Sequence, residues 1–299
     1  MKILISGASG LIGRRLVDDL SNQGHSCRKL VRTRTSHGSQ EVSWNPSEGI
    51  LPESALENID AVIHLSGENV AGGRWTKERK QAILESRVRS TKLLANVLCS
   101  LERRPKVWLC ASAVGIYGNR GDDILTEDSP HGDGFLARVC KEWESATHPA
   151  REVGIRICNL RFGAVFGSEG GAFALMRTAF GLGLGGVVGP GNQWMSWIAI
   201  EDAIGAIVHL LACDTVIGPV NLVSPNPVTN RELTKTLGRV LRRPTLLPMP
   251  AFAARLALGA MADEMLLSSA RVMPERLLRS GFGFHHPNVE GAMRSMVTR

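Results

Sequence analysis

The chain has 299 residues, 43% of them hydrophobic and 21% charged, with a formal net charge of +7. That composition suits a globular protein, either one large domain or a domain with a smaller lobe. No apolar stretch reaches the roughly 18 residues that span a membrane, the N-terminus has no signal-peptide pattern, and the basic residues are spread along the chain with few aromatics, so neither membrane nor nucleic acid is expected as a partner.

Ile3, Leu4 and Ile5 form a short apolar run that suits a strand buried on both faces of a parallel sheet. Gly7, Gly10 and Gly13 follow at the spacing G-x-x-G-x-x-G, and Arg14 to Asn22 reads as a helix with Leu16, Val17 and Leu20 on one face. A strand, a glycine turn and a helix N-terminus make an anion site, because unpaired N–H groups and the helix dipole point at the same place. Gly7, Ser9, Gly10, Leu11, Ile12 and Gly13 are therefore expected to hold a dinucleotide's pyrophosphate.

Cys27 to Val31 is the second strand, and it ends at Arg32-Thr33-Arg34. No acidic residue stands there to grip a ribose 2′-hydroxyl. Arg32 and Arg34 suit a 2′-phosphate instead, which predicts NADP(H) over NAD; the alternative is two solvated loop arginines. Glu41 to Trp44 is a third strand and Asp60 to Leu65 a fourth, followed by Ser66-Gly67-Glu68-Asn69. In a doubly wound sheet the ligand lies across the carboxyl ends of the strands, so Leu65, Ser66 and Gly67 are expected at the cofactor. Residues 77 to 101 read as an amphipathic helix. Val107 to Ala111 is the fifth strand, running into Ser112 to Gly118. A polar loop, Asn119 to Gly134, leads to a helix over Phe135 to Ala146. Ile155 to Leu160 is the sixth strand, and after it Phe162 and Val165 are expected beside the cofactor.

After residue 168 the texture changes. Gly170 to Gly191 is rich in glycine, Trp194 to Asp202 leads into an apolar helix through Leu211, and residues 230 to 278 read as mainly helical. The predicted fold is α/β: a Rossmann-type doubly wound parallel sheet over 1–168, with return elements near 194–212. Residues 169–299 form a smaller, mainly helical substrate-side lobe. The six cysteines (Cys27, Cys99, Cys110, Cys140, Cys158, Cys213) include no C-x-x-C pair, so no zinc site or disulfide framework is expected and the setting reads as cytoplasmic. Adjacent His285 and His286 are assigned no metal.

The glycine turn, Ile116-Tyr117-Gly118, Leu160-Arg161 and Trp197-Ile198-x-Ile200-Glu201-Asp202 resemble the extended short-chain dehydrogenase/reductases of the sugar-nucleotide epimerase type. His64 to Asn69, Arg74-Trp75, Trp143-Glu144, Gly181 to Gly186 and Pro274 to Leu277 narrow the resemblance to the branch of epimerase family proteins. Members have been labelled nucleoside-diphosphate-sugar epimerase or cell-division inhibitor, and carry a C-terminal segment of unassigned function. The resemblance implies NADP(H), a small-molecule substrate, and room for a homodimer.

The departures concern catalysis. Typical relatives use a Tyr-x-x-x-Lys pair; here the single tyrosine, Tyr117, is followed by Gly121, and Leu136 with Cys140, or Ala137 with Lys141, occupy the helical positions. Ala113 falls where the catalytic serine usually sits, with Ser112 one residue early. The helical asparagine is replaced by Arg87, expected as a fixed positive charge near the cofactor or as a surface arginine. Met195 and Ala199 stand where the diphosphate-binding arginine and a histidine are usual, which disfavours a nucleotide-sugar substrate. Trp194 and Trp197 line an apolar pocket or belong to the core.

Three side chains are candidates for proton or group transfer. Cys140 is either an activated thiol or an inert buried one. Glu68 is a general acid or base, or a residue that fixes its loop, and Ser112 is the third. Glu127 and Asp128 read as solvated loop charges. Two functions follow: an NADP-dependent oxidoreductase or epimerase with altered acid–base residues, or a non-catalytic NADP(H)-binding sensor or scaffold linked to cell division.

Overall fold

The computed structural model describes residues 1–32 and 40–297. In chain order, β1 (Lys2–Ser6), α1 (Leu11–Asn22), β2 (Ser26–Val31), β3 (Glu41–Ser43) and β4 (Ala61–His64) come first. Next come α2 (Lys77–Ser100), β5 (Val107–Ala113), β6 (Ile124–Leu125), α3 (Phe135–Ser145), α4 (His148–Glu152), β7 (Arg156–Phe162) and β8 (Ala164–Gly167). The remainder comprises α5 (Gly171–Gly181), β9 (Trp194–Met195), β10 (Trp197–Ala199), α6 (Ile200–Ala212), β11 (Gly218–Leu222), β12 (Val228–Thr229) and α7 (Asn230–Leu241). The chain closes with α8 (Ala251–Leu258), β13 (Arg271–Val272), α9 (Glu275–Arg279) and α10 (Val289–Val297).

The central sheet has seven strands in the order β11-β7-β5-β4-β1-β2-β3, every pair parallel. The order reverses between β1 and β4, so their carboxyl ends flank the crevice where such sheets take ligands. Ser6 pairs with His64 and His64 with Cys110, so the segments after these strands leave from one edge. Alternate residues of β1 serve opposite faces. Ile3 and Ile5 pack with Leu16 and Leu20 of α1 and with Ile207 and Leu210 of α6. Leu4 packs on the other face with Leu94 and Leu98 of α2 and Trp143 of α3.

Two features depart from the sequence reading. The edge strand β11 lies beyond the predicted return segment; its apolar residues are interrupted by Asn221, which masks the strand pattern. Within the glycine-rich stretch, Phe173 and Phe180 fall on one face of α5 and pack with Phe166, Trp197, Leu233 and Met293 in a separate apolar cluster. The span from 230 to 278 is mainly helical, as expected, and is interrupted where Pro244, Pro248 and Pro250 hold the chain extended between α7 and α8.

His64 ties the sheet to α2. Its Nδ1 lies 2.5 Å from Ser6 Oγ and its Nε2 3.1 Å from Ser90 Oγ. Ser90 donates its own proton to the Ser86 carbonyl at 2.7 Å, so the hydroxyl accepts from Nε2–H and Nδ1 accepts from Ser6. Burial, aided by the Arg87 charge, holds the His64 pKa down to about 3. The unfolded imidazole titrates near 6.5, above the folded value, so this contribution to stability is complete above that pH and is lost as pH falls below it. Urea unfolding between pH 7.5 and 5 is expected to show a stability slope that is steeper by up to about 1.4 kcal/mol per pH unit than in His64→Gln; parallel curves would contradict the neutral, buried imidazole.

Candidate functional site

The glycine turn is set by backbone contacts. Gly7 has φ +72°, and a Cβ there would sit 2.7 Å from the Leu65 carbonyl carbon. A Cβ on Gly13 would overlap the Gly7 carbonyl oxygen. Both positions are glycine because the turn packs on itself and on the segment after β4. Gly10 differs. Its backbone is extended, it is exposed, and a Cβ would meet only the Gly7 oxygen, at 3.3 Å. A Cβ at 10 would press on one backbone oxygen, a milder conflict than the overlap at 13, and the rest of a side chain would enter the open space beside the helix N-terminus.

Gly10 caps α1 without a side-chain hydrogen bond, and no acidic residue occupies the helix's first turn. The positive end of the helix therefore faces outward beside Ser9, with Leu11 and Ile12 half-buried. Leu11 touches the positions of Gly170 and Gly171, and Gly171 in turn lies against the Val165 carbonyl. Phe162 pairs with Ala113 at the end of β7. The turn, Leu65, Ser66 and Gly67, and the Phe162–Val165 segment thus share one edge of the sheet. Arg32 is exposed, directly after β2 and next to β1. Arg34 lies outside the described residues.

The loop after β4 is fastened from below. Arg87 stacks on the Trp143 ring at 5.0 Å and donates to the Glu68 and Ile83 carbonyls, both at 3.0 Å. Burial lowers its pKa from the usual arginine value, an effect that the nearby Cys140 and Glu68 oppose. Its guanidinium packs against Gly67, where a Cβ would sit 3.1 Å away. The Glu68 carboxylate pairs with Arg79 at 2.8 Å and remains partly exposed, and Arg79 also donates to the Asn69 carbonyl.

Behind the edge runs a chain of buried polar groups. Ser112 donates to Glu144 at 2.6 Å, and Glu144 accepts two bonds from Arg161, each 2.9 Å. Arg161 also donates to the Tyr117 hydroxyl at 2.9 Å, which donates to Asn221 Oδ1 at 2.7 Å. Burial works against the Arg161 charge, but its bonds and charge contact with Glu144 outweigh it, and the guanidinium is held above its usual range. Tyr117 is fully buried, and burial pushes its phenol up to about 12. Burial likewise pushes the Cys140 thiol up to about 12, with Glu144 adding to the effect. Cys140 is therefore a neutral thiol at ordinary pH.

Glu127 is not a solvated loop charge. It is 4% exposed, and its Oε1 accepts from the backbone of Asn221 at 3.0 Å and Arg276 at 3.3 Å. Burial raises its pKa. Asp128 is exposed and pairs with Arg276. Trp197 belongs to the core, stacked on Phe166, whereas Trp194 lies under the Arg271 guanidinium; they do not form one pocket. The backbone N–H groups of His285 and His286 donate to Asp202 at 2.7 and 2.9 Å. Among the described residues no cluster of three His, Cys, Asp or Glu side chains suits a metal, and no helix is long and apolar enough to cross a membrane.

Sequence reasoning gave no role to Glu144, Arg161 or Arg79. Glu144 shares α3 with Arg138, Lys141 and Glu142, and Arg161 shares β7 with Arg156, so local pattern did not mark the two as a buried pair.

Comparison with known proteins places this geometry in context. Residues 3–237 match the model of the NAD dependent epimerase/dehydratase family, and 249–296 match a domain of unknown function. An epimerase family protein of Mycobacterium leprae is 40% identical over 297 residues, covering 99% of this chain and 96% of its own. The human epimerase family protein SDR39U1, crystallised with NADPH, superposes over 100% of both chains at a TM-score of 0.92 and 31% identity. A nucleoside-diphosphate sugar epimerase from Corynebacterium glutamicum is 35% identical at a TM-score of 0.80; the match covers 98% of this chain and 57% of that one. The glycine turn, the doubly wound sheet and the full-length likeness agree: the chain belongs to the NAD dependent epimerase/dehydratase family, among its epimerase family proteins.

Proposed function

We propose that the protein binds NADP(H) across the carboxyl edge of the sheet and exchanges hydride with a small-molecule substrate, as an oxidoreductase or epimerase. The observation that carries this reading is the open space at Gly10, an exposed glycine whose one close contact is the Gly7 oxygen, beside a helix N-terminus with no side-chain cap. The NADPH in the human relative supports it. The N–H groups of Ser9 to Gly13 would hold the pyrophosphate, and Arg32 the 2′-phosphate. Leu65, Ser66, Gly67, Phe162 and Val165 would flank the bound molecule. Arg87 would act through the loop, by holding Gly67 and Glu68 in place.

The nicotinamide, when bound, supplies or accepts the hydride. The protein must then position the substrate and provide a proton route. Tyr117 is buried between Arg161 and Asn221, Ser112 is committed to Glu144, and Cys140 is a neutral buried thiol. Among the three candidate groups Glu68, though paired with Arg79, alone keeps part of its side chain in solvent, so the proton route falls to it or to water. The same commitments favour a second reading, a sensor that binds NADP(H) without turnover; a substrate screen on NADPH absorbance, with Glu68→Gln as control, separates the two.

Calorimetry tests the binding step. Gly10→Val is expected to weaken NADPH by about tenfold or more while lowering the melting temperature less than Gly13→Ala, which destabilises the fold itself. Arg32→Ala is expected to weaken NADPH by about tenfold and leave NADH unchanged. No affinity of the wild type for either coenzyme would overturn the proposal.

Tyr117→Phe is expected to cost about 1–3 kcal/mol of stability, because Asn221 and Arg161 lose a buried partner, with NADPH affinity unchanged. A variant of full stability that has lost coenzyme binding or turnover would return the tyrosine to the reacting centre.

A further inference from the structure

Two neighbouring segments of the smaller lobe carry large apolar side chains outward. Leu182 and Leu184 are 73% and 63% exposed, and Leu246, Phe252 and Leu256 are 80%, 71% and 77% exposed. The segments are joined by backbone bonds, Met249 N–H to the Val187 carbonyl at 2.9 Å and Gly189 N–H to the Met249 carbonyl at 2.8 Å. Pro248 and Pro250 hold Leu246 to Met249 extended, and Phe252 and Leu256 share one face of α8. Single exposed leucines need no explanation, but a group on adjoining segments forms a patch.

The patch has a basic rim. A cleft of about 730 Å³ beside it is lined by Lys235, Arg239, Arg242 and Arg243, with the Thr236 and Thr245 hydroxyls. Its one acidic lining residue, Glu232, is engaged in the capping box with Thr229. Arg239 pairs with Glu290 at 3.1 Å. Thr245 and the Arg243 carbonyl fold back against Gly238, so the turn that carries Arg242 and Arg243 packs on α7 and runs directly into the exposed Leu246.

We propose that this face docks on an anionic lipid surface. Leu246, Phe252 and Leu256 enter the apolar boundary while Arg242, Arg243 and Lys235 meet headgroup phosphates. An apolar patch bordered by cations is the pattern of proteins that lie on a bilayer, and it requires no spanning helix. Charge complementarity selects this occupant. A second copy joined through the same patch would bring two basic rims together, and an uncharged lipid surface would leave them unanswered.

Vesicle co-sedimentation of the full chain tests the proposal. It is expected to bind phosphatidylglycerol–phosphatidylcholine vesicles about tenfold or more tightly than phosphatidylcholine alone, with the difference shrinking in high salt. Arg242→Glu/Arg243→Glu and Phe252→Ser/Leu256→Ser are each expected to lower binding by about tenfold or more. These residues are exposed, so melting temperature and NADPH affinity should match the wild type, which keeps this test separate from that of the coenzyme site. Equal binding by the variants, or no vesicle binding at all, overturns the proposal. A concentration-dependent dimer that Phe252→Ser/Leu256→Ser abolishes would assign the patch to a second copy instead.

Discussion

Where β1 leaves the sheet, its backbone meets the backbone that follows β4. Gly7 lies so close to Leu65 and Ser66 that any side chain would collide with them, and Gly13 closes on the Gly7 carbonyl in the same way. These approaches set how far α1 stands from the sheet and aim its N-terminus along the carboxyl edge. Parallel strands on either side carry the same edge across to Ala113 and Phe162. The site is therefore assembled from strand ends whose positions the buried sheet enforces, with loops supplying little of the precision.

A second constraint lies beneath that edge. The bidentate Arg161–Glu144 pair is almost fully buried, and breaking such a pair by removing one partner costs about 3–5 kcal/mol. It draws in Ser112 from β5, Tyr117 from the segment after it, and Asn221 from β11. Desolvation explains why the tyrosine and the nearby thiol stay neutral: each would carry its charge in a poorly solvated interior. A phenol engaged on both sides ties β7 to β11. Polar groups that look reactive in the sequence are here the fastening of the fold.

What the sequence disclosed was what local chemistry determines. The apolar run of β1, the glycine spacing and the amphipathic pattern of α2 each depend on residues a few positions apart, and the structure has all three. Glu127 illustrates the opposite case. It stands among exposed aspartates and reads as solvated, yet its burial comes from Asn221 and Arg276, 94 and 149 residues further on. The Tyr117–Asn221 bond spans 104 residues, and no spacing rule foresees it. β11 escaped notice for a related reason: Asn221, needed to satisfy that bond, breaks the apolar run by which a buried strand is recognised.

The segment of unassigned function is built into this framework by the same chemistry. Glu264 accepts the N–H groups of Phe135 and Leu136 at 2.9 and 2.7 Å, so a carboxylate from the end of the chain caps α3. Asp202, at the start of α6, accepts from His285 and His286, and Glu127 accepts from Arg276. In each case an acidic side chain satisfies backbone donors across the join between the sheet and the C-terminal region. Helix caps of this kind depend on both partners keeping their positions. Displacing the segment would expose the N-terminus of α3, the helix that carries Cys140, Trp143 and Glu144, and would loosen the buried pair behind the site. The C-terminal region is thus structurally continuous with the sheet, and its contribution to the site is the order it imposes on α3.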